Sequence, residues 1–242
     1  MNSLQERLDS VQTQIAAAAL RAGRDPGEVT LVAVTKGHPV DTLQQAYELG
    51  VRHMGENRVE EAEEKVPCLP NDVTWHMIGH LQSRKAGRAR ALFRWIHSVD
   101  SLKLAQRLNR LAQEEDPPLP ILLECNVSGE QAKYGFNANR WTEDEIQRKA
   151  LWSEVETCVN LPFLQIRGLM TMAPIVSDPE EARPVFARLR QLRDELAKDF
   201  PHTNWRELSM GMTDDFEVAI EEGATLVRIG RAIFRPEHPT WR

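Results

Sequence analysis

The sequence predicts an α/β protein: a single (β/α)8 TIM-type barrel with an extra N-terminal helix. Strand-like and helix-like patterns alternate to give about eight β-then-α units, the number that closes such a barrel. The chain has 242 residues, a length at which these barrels occur as one domain, so we expect one domain over 1–242. The competing fold is an open doubly wound sheet. It usually has fewer strands and a glycine-rich first turn, and Lys36-Gly37-His38-Pro39 is not that fingerprint.

The elements follow in order along the chain. Apolar residues at helical spacing run from Leu4 to Leu20 and end at Ala22-Gly23, which predicts a leading helix with a glycine cap. Runs of apolar and β-branched residues predict strands at 29–35, 52–55, 74–78, 95–98, 121–127, 165–170, 207–209 and 226–229. Helical periodicity predicts helices at 41–49, 58–66, 85–93, 102–113, 143–158, 180–200 and 214–222.

Composition excludes several classes of protein. Charged residues make up 27% and hydrophobic residues 41%, as in soluble globular proteins. The net charge of -6 argues against a general nucleic-acid binder, so we expect small molecules or proteins as partners. No apolar run reaches membrane-spanning length, and the start lacks a signal-peptide pattern, which predicts a cytoplasmic protein without a membrane partner. Three widely spaced cysteines predict free thiols and no metal site.

Lys36 is the first candidate for chemistry. It follows the apolar run 29–35 and precedes Gly37 and Pro39, which predicts a buried strand with an amine at its carboxyl end. Partial burial would lower the pKa of such a lysine and favour the neutral amine that forms a Schiff base with an aldehyde. The alternative is a surface lysine just past a strand end.

The last two predicted units indicate an anion site. Ser209-Met210-Gly211 and Ile229-Gly230-Arg231 each lead from a strand end through glycine toward a predicted helix start. Backbone N–H groups and the helix dipole favour phosphate there, and barrels often bind phosphate after strands 7 and 8. The alternative is that both glycines serve only tight turns.

Arg228 lies inside the last predicted strand and needs an acceptor, either a ligand nitrogen or a carboxylate. An amine, a phosphate seat and an inward arginine together suggest pyridoxal 5′-phosphate (PLP), with Lys36 as the imine lysine and Arg228 facing the pyridine nitrogen.

The same segments resemble the pyridoxal phosphate homeostasis protein family, which is related to the N-terminal barrel of alanine racemase. The resemblance covers nearly the whole chain and rests on seven ordered motifs: 32–36 (VAVTK), 55–59 (GENRV), 76–83 (HMIGHLQS), 126–130 (NVSGE), 167–172 (RGLMTM), 208–212 (LSMGM) and 227–230 (VRIG).

The resemblance implies a fold-type III PLP protein, usually monomeric, that helps to control intracellular vitamin B6 and amino/keto acid balance. It implies that the protein holds the cofactor as an exchangeable imine, with PLP-dependent apo-enzymes as potential recipients. The implied cofactor-binding residues are Lys36, Asn57, His80, Met170, Ser209, Gly211, Arg228, Gly230 and Arg231. Arg231 stands where the family often has Thr or Ser, so backbone N–H or guanidinium replaces a hydroxyl at that position.

The resemblance also bears on catalysis. An arginine opposite the pyridine nitrogen keeps that nitrogen unprotonated and weakens the ring as an electron sink. Relatives that racemise amino acids take a second base from a separate domain, and this chain ends a few residues past the last predicted strand. A non-catalytic PLP regulator or carrier is therefore expected. The alternative is a PLP-dependent amino-acid racemase with Tyr134 or His80 as second base; a Schiff-base aldolase fits Lys36 but not Arg228.

Overall fold

The computed structural model describes residues 3–113, 117–130 and 132–234. The strands in these ranges are β1 (Thr30–Val34), β2 (His53–Glu56), β3 (Thr74–Met77), β4 (Trp95–Val99), β5 (Leu119–Asn126), β6 (Phe136–Asn137), β7 (Leu164–Met170), β8 (Glu207–Ser209) and β9 (Leu226–Ile229). All except β6 form a closed parallel ring in the order β1-β2-β3-β4-β5-β7-β8-β9, in which β9 pairs with β1. The predicted (β/α)8 barrel is confirmed.

Eight α-helices surround this ring in the described ranges. They are α1 (Leu4–Arg21), α2 (Val40–Glu48), α3 (Val59–Lys65), α4 (Ala86–Leu92), α5 (Leu102–Leu111), α6 (Glu145–Val159), α7 (Arg183–Asp199) and α8 (Phe216–Glu221). Each predicted helix is present, with ends that differ by up to three residues. Because every strand runs parallel, seven of the helices are the crossovers that return the chain to the start of the next strand.

Helix α1 is the extra element, and it packs against α8. A capping box starts it: the Ser3 hydroxyl accepts from the Glu6 N–H at 3.2 Å, while the Glu6 carboxylate accepts from the Ser3 N–H at 2.7 Å. Arg7 near its start donates to the Ile233 carbonyl at 2.6 Å. Arg24, just past its end, donates to the Ala224 carbonyl at 2.9 Å. These two hydrogen bonds join α1 to the segments that follow and precede β9.

Two local features differ from prediction. The short strand β6 pairs with β5 outside the ring, and its two residues are too few to give a periodic signal. The helix expected after Gly230 is, up to Phe234, a hydrogen-bonded turn in which the Ile233 and Phe234 N–H groups donate to the Gly230 carbonyl at 2.9 and 2.8 Å. The carbonyl of Ile233 accepts instead from α1, which packs beside this segment.

Most of the apolar core lies between the ring and the helices. A second, small cluster of Val32, Leu122, Met170 and Leu226 is contributed by four strands of the ring. No helix in the part of the chain that the structure describes combines the length and the apolar character needed to span a bilayer. Cys68, Cys125 and Cys158 are free, as predicted.

Candidate functional site

The predicted site residues follow the carboxyl ends of strands that lie side by side in the barrel. Lys36 follows β1, Asn57 follows β2, His80 follows β3, Gly211 follows β8 and Gly230 follows β9. Parallel strands deliver their carboxyl ends to one face, so these residues share one mouth of the barrel. Met170 is different: it is fully buried within the interior apolar cluster, beneath that mouth.

The side chain of Lys36 is exposed, and among the described residues its Nζ has no hydrogen-bond or ion-pair partner. The prediction that the protein itself partly buries this amine is therefore wrong. Lys36 lies two residues past the last residue of β1, where the barrel opens, and so no neighbouring strand covers it. What the fold supplies is an unpaired primary amine at the rim of the mouth.

The backbone beside that amine is held by a cluster under the turn. Lys65 of α3 donates from Nζ to the Thr35 carbonyl at 2.8 Å, to Glu56 at 2.6 Å and to Glu61 at 3.2 Å. Glu61 also accepts from the Gly37 N–H at 2.9 Å. The peptides before and after the candidate amine are thus tied to one buried lysine. Such anchoring fixes where the amine leaves the backbone.

Glu56 is the last residue of β2 and does not face the mouth of the barrel. It is fully buried at the end of β2 and contacts Lys65 of α3, which puts it between the barrel and the helix layer rather than in the mouth. Burial raises the pKa of its carboxyl, although hydrogen bonds from Lys65 and Thr35 act in the opposite direction. Within the described part of the chain, its Oε2 atom has no hydrogen-bond partner. Glu56 is thus a support of the turn.

Arg228 is 4% exposed on β9 and has neutral hydrogen-bond acceptors. It donates to the Ser209 hydroxyl at 2.6 Å and to the Thr171 carbonyl at 2.9 Å. Burial lowers the pKa of Arg228 to about 10, against the attraction of the carboxyls of Glu124 and Asp215. The guanidinium therefore remains cationic at neutral pH, with no directly bonded carboxylate in the described residues.

Ser209 contacts the buried arginine in this structure. Ser209 is fully buried, and its hydroxyl forms hydrogen bonds with Arg228 and with the ring of His97. The phosphate contact predicted for Ser209 stays a prediction. In this structure its hydroxyl is an anchor for the arginine.

Glu124 on β5 was not singled out by the sequence. It is 3% exposed, and its Oε2 atom has no hydrogen-bond partner among the residues that the structure describes. Burial, reinforced by the negative charge of Asp100 and opposed by Arg228, raises its pKa to about 7. A carboxyl of this kind carries a proton during part of the physiological pH range.

The loops after β8 and β9 pack closely. Gly211 has φ +93°, and a Cβ there would lie 2.6 Å from that of Ala219, so both the backbone conformation and the space require glycine. Gly230 lies against the end of β1: a Cβ would be 3.2 Å from the Val34 carbonyl. This contact brings the second loop beside the strand that carries the candidate amine.

Arg231 points elsewhere. Its exposed guanidinium pairs with Asp214 of the neighbouring loop. It therefore already has a carboxylate partner in this structure.

On the other side of the mouth, His80 is held between two residues. Its Nδ1 lies 2.9 Å from the Asp100 carboxylate, and its ring stacks on that of Tyr134 with 3.7 Å between centroids and 12° between planes. Gln82, Ser83 and Lys133 line the cleft around it. The carboxylate orients the imidazole so that Nε2 is the nitrogen left for other contacts.

Comparison with known proteins decides the family. The family model described as "Alanine racemase, N-terminal domain" matches residues 7–237. The pyridoxal phosphate homeostasis protein of Vibrio alginolyticus is 39% identical over 239 residues, which cover 97% of each chain. The chain belongs to the pyridoxal phosphate homeostasis protein family.

Solved structures of this family agree with the fold. PipY of Synechococcus elongatus, solved without PLP, is 38% identical, with a TM-score of 0.84 over 96% of this chain and 100% of its own. The structure of PipY described as having PLP bound matches over the same shares with a TM-score of 0.79.

Sequence reasoning missed four residues that now adjoin the predicted site of this family member: Lys65, His76, His97 and Glu124. Each is buried and polar, and three of them lie on barrel strands. The available signal was that His76, His97 and Glu124 are polar residues inside predicted strands. Which of them meet near Arg228 depends on the register between strands, and that is a tertiary property.

Proposed function

We propose that this protein binds PLP covalently and reversibly through Lys36 and acts in intracellular vitamin B6 homeostasis and amino/keto acid balance as a regulator or carrier. The observation that carries this proposal is the Lys36 amine, unpaired among the described residues, at the mouth of a barrel in which the neighbouring strand β9 carries the buried Arg228. The relative PipY, described with PLP bound, supports it.

The donor set fits this cofactor. PLP supplies an aldehyde that condenses reversibly with an amine, together with a phosphate and a pyridine nitrogen. Lys36 provides the amine, and its exposure leaves it accessible to the aldehyde. The turn held by Lys65 keeps the amine at the rim.

The remaining groups would orient the cofactor. Arg228 is a buried donor that suits an unprotonated ring nitrogen, because a guanidinium donates and does not accept. The loops at Gly211 and Gly230 lie at the ends of β8 and β9 and are proposed as the phosphate seat, where backbone N–H groups favour an anion. Asn57 and His80 are proposed to flank the ring, above the apolar floor that contains Met170.

A carrier role is favoured over catalysis for an electronic reason. A cationic donor opposite the pyridine nitrogen leaves that nitrogen unprotonated, which weakens the ring as an electron sink for carbanion chemistry. We further propose that the protein is a monomer in the cytoplasm and that PLP-dependent apo-enzymes receive the cofactor from it. A transfer assay from the loaded protein to an apo-enzyme, with and without Lys36, tests this last step.

An amino-acid racemase is the second candidate, and one observation favours it. Asp100 orients His80, and Tyr134 stacks on it, so the mouth holds potential acid/base groups besides Lys36. Incubation with a panel of L-amino acids in deuterated water distinguishes the two functions. If the wild type exchanges the α-proton of an amino acid and His80→Gln does not, the protein is an enzyme that uses His80. If no amino acid exchanges its α-proton, the carrier function is favoured.

The main test is reduction with borohydride after addition of PLP, followed by peptide mass spectrometry. We expect the label on Lys36 and its loss in Lys36→Ala, while Lys103→Ala, a change at an exposed lysine of α5, keeps it. A label spread over surface lysines, or unchanged in Lys36→Ala, would refute the proposed attachment. Adding a sugar phosphate without PLP tests the aldolase alternative, for which we expect no label.

A further inference from the structure

A chain of three histidines crosses the barrel interior and ends at the anchor of Arg228. His53 Nδ1 lies 2.9 Å from His76 Nε2, and His76 Nδ1 lies 2.9 Å from His97 Nε2. His97 Nδ1 lies 2.9 Å from the Ser209 hydroxyl, which accepts from Arg228 at 2.6 Å. The histidines come from β2, β3 and β4, three neighbouring strands.

The proton positions in this chain follow from hydrogen-bond accounting. Arg228 can only donate, so Ser209 Oγ accepts there and its own hydrogen is free to point to His97 Nδ1. No other acceptor for that hydrogen is present in the described residues. His97 then carries its hydrogen on Nε2 and donates to His76, which likewise donates to His53. The reverse orientation would leave the buried Ser209 hydroxyl hydrogen unpaired, which is costly.

The chain is electrically neutral. Burial lowers the pKa of His76 to about 3, with a further contribution from His53. Burial, His76 and Arg228 lower the pKa of His97 well below its usual range. The described groups that face this chain are Ser209, Arg228 and the ring of Trp95, which lies 6.0 Å from His76 and 6.2 Å from His97 between centroids.

The hydroxyl that anchors Arg228 is neutral, whereas a carboxylate in its place would cancel the charge of the guanidinium. Successive donors polarise one another, so the Ser209 oxygen becomes a stronger acceptor without carrying a net charge. The guanidinium is held by this oxygen and by the Thr171 carbonyl. Arg228 is thus fixed in orientation, and no carboxylate of the described residues lies within hydrogen-bond distance to cancel its charge.

We propose that His97, supported by His76 and His53, is a positioning residue that acts through Ser209 to orient Arg228 toward the pyridine ring of PLP. This inference rests on the proposed function, because it takes Arg228 to face that ring. His97 does not touch the cofactor in this scheme. It sets the direction of one hydroxyl hydrogen, and that hydroxyl sets the arginine.

The test is a double-mutant cycle between His97 and Ser209, read by PLP affinity and by the absorption spectrum of the bound cofactor. His97→Leu removes the acceptor for the Ser209 hydrogen, and we expect affinity to fall about tenfold, the effect of one buried hydrogen bond. In the Ser209→Ala background the same change should cost less than about twofold, since the connecting atom is gone. His97→Asn keeps an acceptor near the position of Nδ1 and should restore most of the affinity.

The spectrum separates positioning from general support of the fold. We expect His97→Leu and Ser209→Ala to shift the absorption maximum in the same direction, because each releases the donor opposite the ring nitrogen. The surface change His202→Leu should alter neither spectrum nor affinity. If His97→Leu does not fold, His76→Leu, one hydrogen bond further from Ser209, should give a smaller loss with the same dependence on Ser209.

The outcomes are distinct. Equal losses for His97→Leu with and without Ser209, or an unshifted spectrum in both single variants, overturn the inference while leaving PLP binding intact. A wild-type protein that takes up no PLP overturns the proposed function itself, and it does so before any variant is compared. A Ser209-dependent loss with a matching spectral shift supports the inference.

Discussion

Replacing Lys65 with methionine should destabilise this protein more than any surface charge change on α3 or α4. The variant removes an ammonium whose side chain is 8% exposed and which donates at 2.6 Å to Glu56 and at 2.8 Å to the Thr35 carbonyl. Glu56 is fully buried, and in the described ranges its Oε2 already lacks a hydrogen-bond partner. Hydrogen bonds to charged groups contribute about 1.5–3 kcal/mol each, and breaking a buried ion pair costs about 3–5 kcal/mol. We expect the free energy of unfolding to fall by about 3–5 kcal/mol.

The assay is urea unfolding of four proteins at pH 7: wild type, Lys65→Met, Glu56→Gln and the double variant. Because the loss in Lys65→Met comes from stranding a buried carboxyl, adding Glu56→Gln should recover at least half of it. Lys85→Met is the matched control. Its ammonium pairs with Glu60 at the surface, with side-chain exposures of 27% and 45%, and removing it should leave the unfolding curve almost unchanged.

Two results would refute this reasoning. A loss in Lys65→Met no larger than that in Lys85→Met would mean that the buried cluster contributes no more than a surface pair. A double variant that is as unstable as Lys65→Met would mean that the loss comes from the packing of the lysine stem, not from the charge of Glu56.

Three further outcomes are expected. The contribution of Glu124 to stability should fall by about 3 kcal/mol as pH rises from 4.5 to 7 without cofactor, because the native state keeps its proton (pKa about 7) while the unfolded chain releases it near 4.5. The neutral histidines His76 and His97 change stability in the opposite direction over this range, but equally in the wild type and in Glu124→Gln. The difference between the urea midpoints of these two proteins should therefore change between pH 5 and pH 8, and a constant difference would contradict the role of Glu124. Gly79→Ala places a Cβ 2.7 Å from the Asn57 Cα and should cost about 1–3 kcal/mol and weaken PLP binding. Gly87→Ala, with its nearest neighbour at 3.8 Å, should be neutral or stabilising; loss of stability there would contradict the steric argument. Ser3→Ala should cost about 1 kcal/mol by thermal melting, and an unchanged melting temperature would exclude the capping box as a source of stability.

The barrel could be predicted because its signals are local. A strand such as β1 is a run of β-branched and aliphatic residues, and a crossover helix such as α7 repeats its apolar residues at helical spacing. The alternation of the two element types restricts the arrangement to very few folds. The exceptions were β6 and the turn after Gly230, where two or three residues carry no periodicity and a neighbouring element decides the conformation.

The candidate site was only partly predictable. Lys36 and Gly230 are close in space because both end strands, and strand order follows from topology. The exposure of Lys36, the outward position of Glu56 and the pairing of Arg231 with Asp214 depend on side-chain directions. If the end of a strand is misplaced by one residue, each of its side chains is assigned to the wrong face of the sheet. The sequence pattern is therefore a weak guide to side-chain directions at strand ends.

The sequence by itself therefore determined the barrel and the family and singled out Lys36 as the candidate amine, because strand and helix periodicity and ordered motifs can be read along the chain. Only the tertiary structure decided what holds these groups. Lys65 under the turn and the path from His53 through His76 and His97 to Arg228 join residues that lie far apart in sequence. Hydrogen bonds require alignment within a few tenths of an ångström, and that alignment is set by strand register and barrel closure.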